Sequence, residues 1–394
     1  MREGWQIRPL GEVCEIYNGG TPSTNIPEYW DGGIQWITPK DMGRSKDMYV
    51  SHCERTISQE GVEHSSTKVL PERSVIVSSR APIGYVAINE VPMATNQGCK
   101  GFVLGKEIYP EFLYYFLLSS TDLLNKLGTG ATFKEVSGKK LAGIELPFPS
   151  IPEQQRIVNI LDREFAKIDA LKANAEKSLQ AAKDLFQATL KKELEPKEGW
   201  ISATLGKLYD VRDGTHDSPK YVSEGYPFIT SKNLKDGKVD MSDVKFISQN
   251  DYEKINERSK VDIGDVLFAM IGSNLGHPAI VEEEPNYAIK NVALFKVPPS
   301  QSSRLLLFLL SSDKIMEVMN KEKNGSSQPF VSLKYLRNFV VSIPETRNEQ
   351  ENLAMSIQSI SDRHKQLQQN YQKALTLCDD LKQALLRKAF NGEL

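Results

Sequence analysis

The sequence predicts an α+β protein in which two repeated, mixed β-rich globular domains are separated by two long antiparallel coiled-coil helices, a pseudo-twofold dumbbell. Three observations lead there: a strict apolar seam near the C-terminus, a weaker copy of it earlier in the chain, and matching segments ahead of both. The seams supply the helices, and the duplication supplies the architecture.

Leu353, Ile357, Ile360, His364, Leu367, Tyr371, Ala374, Cys378, Leu381 and Leu385 alternate spacings of four and three, the seam of a coiled-coil helix. Moved back by 196 positions, the register reads Ile157, Leu161, Glu164, Ile168, Leu171, Ala175, Ser178, Ala182, Leu185 and Thr189. Helix-on-helix packing is expected from Ile157, Leu161, Ile168, Leu171 and Leu185, and from the second seam apart from Ala374 and Cys378. Ser150 with Glu153, and Thr346 with Glu349, carry the S/T-x-x-E spacing of a capping box at the two helix starts.

The segments between the seams repeat as well. WQIRPLG at Trp5 resembles WISATLG at Trp200, and GIQWITPKDM at Gly33 resembles GYPFITSKNL at Gly225. Val69 to Gly84 follows the outline of Val261 to Gly276, FLLSS recurs at Phe116 and Phe308, and Gly128 to Val136 matches Gly325 to Leu333 more loosely. The expected division is a first globular domain over 1–149, a first helix over 150–195, a linker over 196–199, a second globular domain over 200–343 and a second helix over 344–394.

With 394 residues, 40% hydrophobic and 25% charged, the chain has the composition of an ordinary globular protein. No charged region followed by an apolar core opens it, and the runs near Phe112 to Leu118 and Leu305 to Leu310 are too short to span a bilayer. A cytoplasmic protein is expected. Cys14, Cys53, Cys99 and Cys378 lack C-x-x-C spacing, so neither a disulfide framework nor a zinc site is suggested. A net charge of -2 argues against a free-standing, strongly basic nucleic-acid binder. It leaves open a protein that reads bases while a partner supplies much of the phosphate contact.

In the first domain, short β-branched and aromatic runs (Gln35 to Ile37, Ser74 to Val77, Tyr85 to Ile88, Gly101 to Val103) read as strands between Gly, Pro, Asn and Ser turns. Pro110 to Leu127 reads as a helix whose aromatics pack the core. The polar loops carry the functional expectation, because hydroxyl, amide and cationic groups on exposed backbone serve base edges and phosphates. The candidate DNA contacts are Gly19, Gly20, Thr21, Ser23, Thr38, Lys40, Ser79, Arg80, Asn96, Gln97, Thr129, Thr132 and Lys134.

The second domain keeps the framework and changes the loops. Its candidates are Asp213, Gly214, Thr215, His216, Ser218, Thr230, Lys232, Asn233, Ser273, Asn274, Lys290, Asn291, Ser326, Ser327 and Gln328. Matching scaffolds with divergent loops suggest two related ligands rather than one active site. For any single loop, a solvated turn is an equally good reading.

Catalytic constellations are absent from the sequence: no G-x-x-x-x-G-K-[ST], no H-E-x-x-H and no G-x-S-x-G. The G-T-G at Gly128 lacks the strand-turn-helix context of a dinucleotide site. His52, His64, His216 and His277 stand singly in loop-like segments, and His364 occupies a seam position where it sets helix register rather than binding a metal. No catalytic residue, metal site or cofactor is expected in this chain.

Connectivity fixes the helix direction. The first helix ends where domain two begins and the second starts where domain two ends, so the helices are antiparallel. From Leu353 to Leu385 the seam is roughly 48 Å long at 1.5 Å per residue, a length suited to two DNA half-sites about one turn apart. Full overlap of the seams places Leu171 opposite Tyr371, Ile168 opposite Ala374, and Ser178 opposite His364 as the one polar layer.

The order of domain, helix beginning PSIPEQQRIVNILDREFAKID, domain, and helix ending LLRKAFNGEL resembles the specificity (S) subunit of type I restriction-modification systems, over essentially the whole chain. The resemblance implies a non-catalytic subunit whose globular parts are target recognition domains, each reading half of a split double-stranded DNA target. It implies helices that hold two modification (methyltransferase) subunits, and restriction subunits that add translocation and cleavage. S-adenosylmethionine, ATP and Mg belong, by the same resemblance, to those partners. The alternatives are a duplicated coiled-coil scaffold that binds only proteins, and a free-standing enzyme.

Overall fold

The computed structural model describes residues 3–45, 47–130, 134–272, 274–313, 315, 317 and 330–394. It divides into two compact units, Met1–Ala175 with Lys373–Leu394, and Glu176–Gln372.

In the first unit the strands Gln6–Pro9 and Glu145–Phe148 pair antiparallel and close the globular part at its two ends. The main sheet runs, in spatial order, Cys14–Asn18, Cys99–Leu104, Val75–Ser79, Ile83–Asn89 and Tyr49–Val50. Every residue of the central Val75–Ser79 strand is buried, as a strand covered on both faces requires. A second sheet, Thr56–Ile57, Trp30–Ile37, Met93–Thr95 and Val69–Leu70, carries the Trp30–Trp36 edge-on pair.

The expected helix from Pro110 to Leu127 is two helices, Pro110–Ser119 and Thr121–Leu127. The break falls at Ser120, whose amide bonds to the Phe116 and Leu117 carbonyls as the first helix closes. Phe112, Leu113 and Phe116 are buried in the core, as their spacing implies.

The second unit repeats this plan. Trp200–Thr204 pairs with Val340–Pro344, and the main sheet runs Asp210–Asp213, Val292–Lys296, Val266–Ala269, Pro278–Ile280, Gly237–Val239 and Leu234–Lys235. The parallel pairing of Trp30–Ile37 with Met93–Thr95 recurs as Tyr226–Ile229 with Ala288–Ile289.

The long helices are Ile151–Glu193 and Arg347–Phe390. Pro344 remains in a strand, so the second helix starts later than the expected 344 boundary. Its capping box is present: Thr346 Oγ1 donates to Glu349 Oε2 at 2.7 Å and accepts from the Glu349 amide at 3.3 Å. A buried glutamine sits in the first turn of each long helix. Gln154 accepts the Tyr109 amide and donates to the Glu107 and Pro149 carbonyls, all at 2.8 Å. Gln350 repeats two of these bonds, accepting from the Ser302 amide at 3.0 Å and donating to Pro344 O at 2.9 Å.

In the first unit the helical segments run antiparallel, with Arg156 bonded to Leu394 O at 2.6 Å, Asp169 to Lys382 at 2.5 Å and Lys172 to Asp379 at 2.6 Å. In the second unit Phe186 lies against His364, ring centroids 5.6 Å apart. The expected register is therefore wrong by roughly nine positions: Leu171 does not face Tyr371, Ile168 does not face Ala374, and His364 meets an apolar ring rather than Ser178. The physical reason is that a repeated seam nearly matches itself at many offsets, and here both the ion pairs and the packing of the helix ends on the domains favour another one.

The seam is also narrower than expected. Of the expected seam, Ile157, Leu161, Ile168, Ala175, Ala182 and Ile357 are buried, whereas Leu171, Leu185, Leu367 and Leu381 are exposed. Ile360 and Tyr371 are half-buried, Leu353 packs on the second core and Leu385 on the first. In the first helix only one seam residue per heptad is consistently enclosed, and beyond Ile168 it becomes alanine.

Candidate nucleic-acid interface

Loops from four strand ends converge in the first unit. The Gly19 and Gly20 amides donate to Cys99 O at 3.2 Å and Thr95 O at 2.9 Å, locking the loop to the sheet. A Cβ on Gly19 would lie 1.9 Å from Asn96 O, so no other residue fits without moving backbone. The indoles of Trp36 and Trp30 then donate to Gly20 O at 3.0 Å and Ser23 O at 3.1 Å. Thr21 donates to Gln97 Oε1 and accepts from Asn96 Nδ2, while Asn96 Oδ1 takes the Gly98 amide at 2.8 Å. Thr38 and Asp41 cap the helix Pro39–Arg44, and Lys40 lies 3.1 Å from Glu54. A Cβ on Gly98 would touch Asn96, Pro39 and Arg80 within 3.4 Å, which shows how closely these loops meet.

Beside them Glu135 lies 3.1 Å from Lys100 Nζ and 3.7 Å from Arg80 Nη1. Its backbone exchanges two 3.0 Å bonds with Thr129, whose hydroxyl is 3.5 Å from Lys140 Nζ. Ser23, Gln97, Thr129 and Lys134 are exposed, and Thr21, Thr38, Arg80 and Asn96 half-buried. Thr132 lies outside the described residues.

The second unit keeps the frame. Gly214 and Thr215 donate to Val292 O at 2.9 Å and Ile289 O at 3.1 Å, the counterparts of the Gly19 and Gly20 bonds. What hangs on it differs. His216 bridges Asp213 Oδ2 at 3.0 Å and Asn291 Oδ1 at 2.8 Å, and Arg258 holds the other Asp213 oxygen. Lys290 donates to Ser218, and Thr215 Oγ1 accepts the Asp217 amide at 3.1 Å. Thr230 and Asn233 form the cap that matches Thr38 and Asp41. Lys232 is exposed, and its carbonyl takes Asn274 Nδ2 at 3.4 Å. Ser273, Ser326, Ser327 and Gln328 lie outside the described residues.

Six of the expected residues are buried within the frame. Gly19, Gly20 and Gly214 are buried and act through their backbone. Asp213 is buried between His216 and Arg258. Ser79 is buried with its hydroxyl on Gly98 O at 3.1 Å. Asn233 spends its amide on the Asp240 and Asp243 carbonyls and its oxygen on Thr230. Polarity suggested exposure at these positions, but buried turns and caps demand the same residue types.

Three neighbours were not anticipated: Lys100, Glu135 and Phe330. The loose match of Gly128 to Val136 with Gly325 to Leu333 is two positions out of step. Val136 donates to Ser79 O at 3.0 Å and Val331 to Met270 O at 2.9 Å, and Ser137 and Ser332 cap the helices that follow. Glu135 thus corresponds to Phe330, and paired V-S dipeptides were the signal that could have shown it.

The remaining chemistry is that of recognition. Burial pushes the Cys14 and Cys53 thiols up to about 12 and raises Cys99 further, so these sulfurs are not nucleophiles at neutral pH. Among the described residues no cluster of His, Cys, Asp or Glu could hold a metal, and no helix is long and apolar enough to cross a membrane. What the loops offer are hydroxyls, amides and cations at sheet ends, the groups that meet base edges and phosphates.

Comparison with known proteins agrees. The type I restriction modification DNA specificity domain matches residues 2–181 and again 197–376. The chain is 28% identical, over 99% of its own length and 93% of the relative's, to the type I restriction enzyme MjaIX specificity subunit of Methanocaldococcus jannaschii. It shares its fold with a chain from work on complex assembly and conformational transition of the type I R-M system, at TM-score 0.81 and 19% identity over 100% and 99% of the two chains. The HsdS subunit of Thermoanaerobacter tengcongensis superposes at TM-score 0.56 and 18% identity over 100% and 98%. With its duplicated frame and divergent loops, the chain belongs to the type I restriction-modification DNA specificity family and is a non-catalytic DNA sequence-recognition subunit.

Proposed function

We propose that each globular domain reads one half of a bipartite double-stranded DNA target, while the two long helices set the spacer and bind two modification (methyltransferase) subunits. The observation that carries this reading is the pairing of one frame with two loop sets. Equivalent backbone bonds fix Gly19–Gly20 and Gly214–Thr215, yet Thr21, Asn96 and Gln97 stand in one domain where His216, Lys290 and Asn291 stand in the other. A frame kept through duplication with altered contact residues is what two different half-sites require.

The exposed leucines support the protein-binding part. Leu171, Leu377 and Leu381 in the first unit, and Leu185 and Met355 in the second, leave apolar helix surface of the kind partner proteins cover. The partners would bring S-adenosylmethionine for adenine methylation, and restriction subunits would bring ATP and Mg for translocation and cleavage. Work on DNA by such a complex goes with a cytoplasmic location. From the first domain, Thr21, Ser23, Thr38, Lys40, Arg80, Asn96, Gln97, Thr129 and Lys134 are the proposed contacts. His216, Ser218, Thr230, Lys232, Asn274, Lys290 and Asn291, with Thr215, are those of the second.

Sequencing methylated adenines in a host with and without this chain tests the reading. Methylation at a split, asymmetric sequence that vanishes without the chain is expected. A scaffold that binds only proteins would leave the sequence specificity of methylation unchanged.

A further inference from the structure

We infer that one backbone position, Glu135 in the first domain and Phe330 in the second, is a specificity position for DNA, polar in one copy and apolar in the other. The inference rests on the recognition role proposed above and names the chemistry of two contacts within it. The equivalence is geometric: an isolated antiparallel bridge joins Arg80 to Glu135, and another joins Ile271 to Phe330. The next residue along donates to the strand in both copies, Val136 to Ser79 O and Val331 to Met270 O.

The two pairs differ completely in chemistry. Glu135 stands between the Arg80 guanidinium, 3.7 Å away, and the buried Lys100 ammonium, 3.1 Å away, so its carboxylate is balanced by two cations and keeps the arginine beside it. An arginine held in this way offers a fork to guanine O6 and N7, and the carboxylate an acceptor for a cytosine amino group. In the second copy the pair is Ile271 and Phe330, and Phe330 is 63% exposed. A phenyl ring at the same place has nothing to offer a guanine, but makes apolar contact with a thymine methyl in the major groove. The first domain therefore reads a G·C pair at this position and the second an A·T pair.

The test uses the chain assembled with its modification subunits and measures methylation rates on oligonucleotides with each base pair of both half-sites varied. Phe330→Ala is expected to lower discrimination about tenfold at one A·T pair of the second half-site and to leave the first half-site unchanged. Replacing the thymine there by uracil, which lacks only the methyl, should slow the parent complex by a similar factor and the Phe330→Ala complex no further. Glu135→Gln should relax one position of the first half-site only, and the Ile271→Arg, Phe330→Glu double variant should shift the second-half preference toward G·C. A Phe330→Ala profile identical to the parent's, or uracil that changes nothing, would overturn the assignment. A parent complex without sequence preference would overturn the recognition role itself, and this position with it.

Discussion

Gln154 Oε1 accepts the Tyr109 amide at 2.8 Å, from a side chain with no solvent exposure. Its Nε2 satisfies two further carbonyls, so a single glutamine joins the start of the first long helix to the loop before Pro110–Ser119. Gln154→Ala leaves one amide and two carbonyls short of a partner and is expected to cost about 2–4 kcal/mol. Thermal unfolding of the full chain checks this, with Gln350→Ala as the second copy's counterpart. A variant as stable as the parent would show that water replaces the side chain without cost.

The observed helix register makes a prediction of its own. Lys172→Asp and Asp379→Lys each replace a 2.6 Å ion pair by repulsion, and the double variant restores attraction. Because Asp379 is well exposed, the coupling is expected to stay below about 1 kcal/mol. A double-mutant cycle by denaturant unfolding reads it. Coupling between Leu171 and Tyr371 in place of this pair would favour the register that the seams alone suggest.

The duplicated frame was legible because its bonds leave little freedom: Gly19 and Gly214 both press a carbonyl, and Ser137 and Ser332 both cap a helix. Helix direction followed from connectivity. The register did not, since the seam repeats along itself while the contacts that accompany the observed offset, such as Lys172 with Asp379, join polar positions outside the seam and far apart in sequence. Within the candidate site, Ser79 and Asn233 looked like contacts because a buried cap and an exposed donor use the same side chains. Phe330 was passed over because only hydroxyl, amide and cationic loop residues were weighed as contacts, and its exposure is seen only in the fold.

A spacer-setting role for the helices predicts the effect of lengthening them. One added heptad in both keeps their seams in phase and adds about 10 Å, or roughly three base pairs. Methylation mapping should then find the same half-sites separated by a longer spacer, or no methylation where the modification subunits cannot follow. An active variant with the original spacer would remove the ruler.

The central claim is that the two domains read DNA independently through divergent loops on one frame. Its most direct measurement replaces residues 200–343 with the corresponding domain of another family member and maps adenine methylation by the assembled complex. The first half-site and the spacer are expected to stay as they were, with only the second half-site changed. A change in both half-sites would contradict the claim.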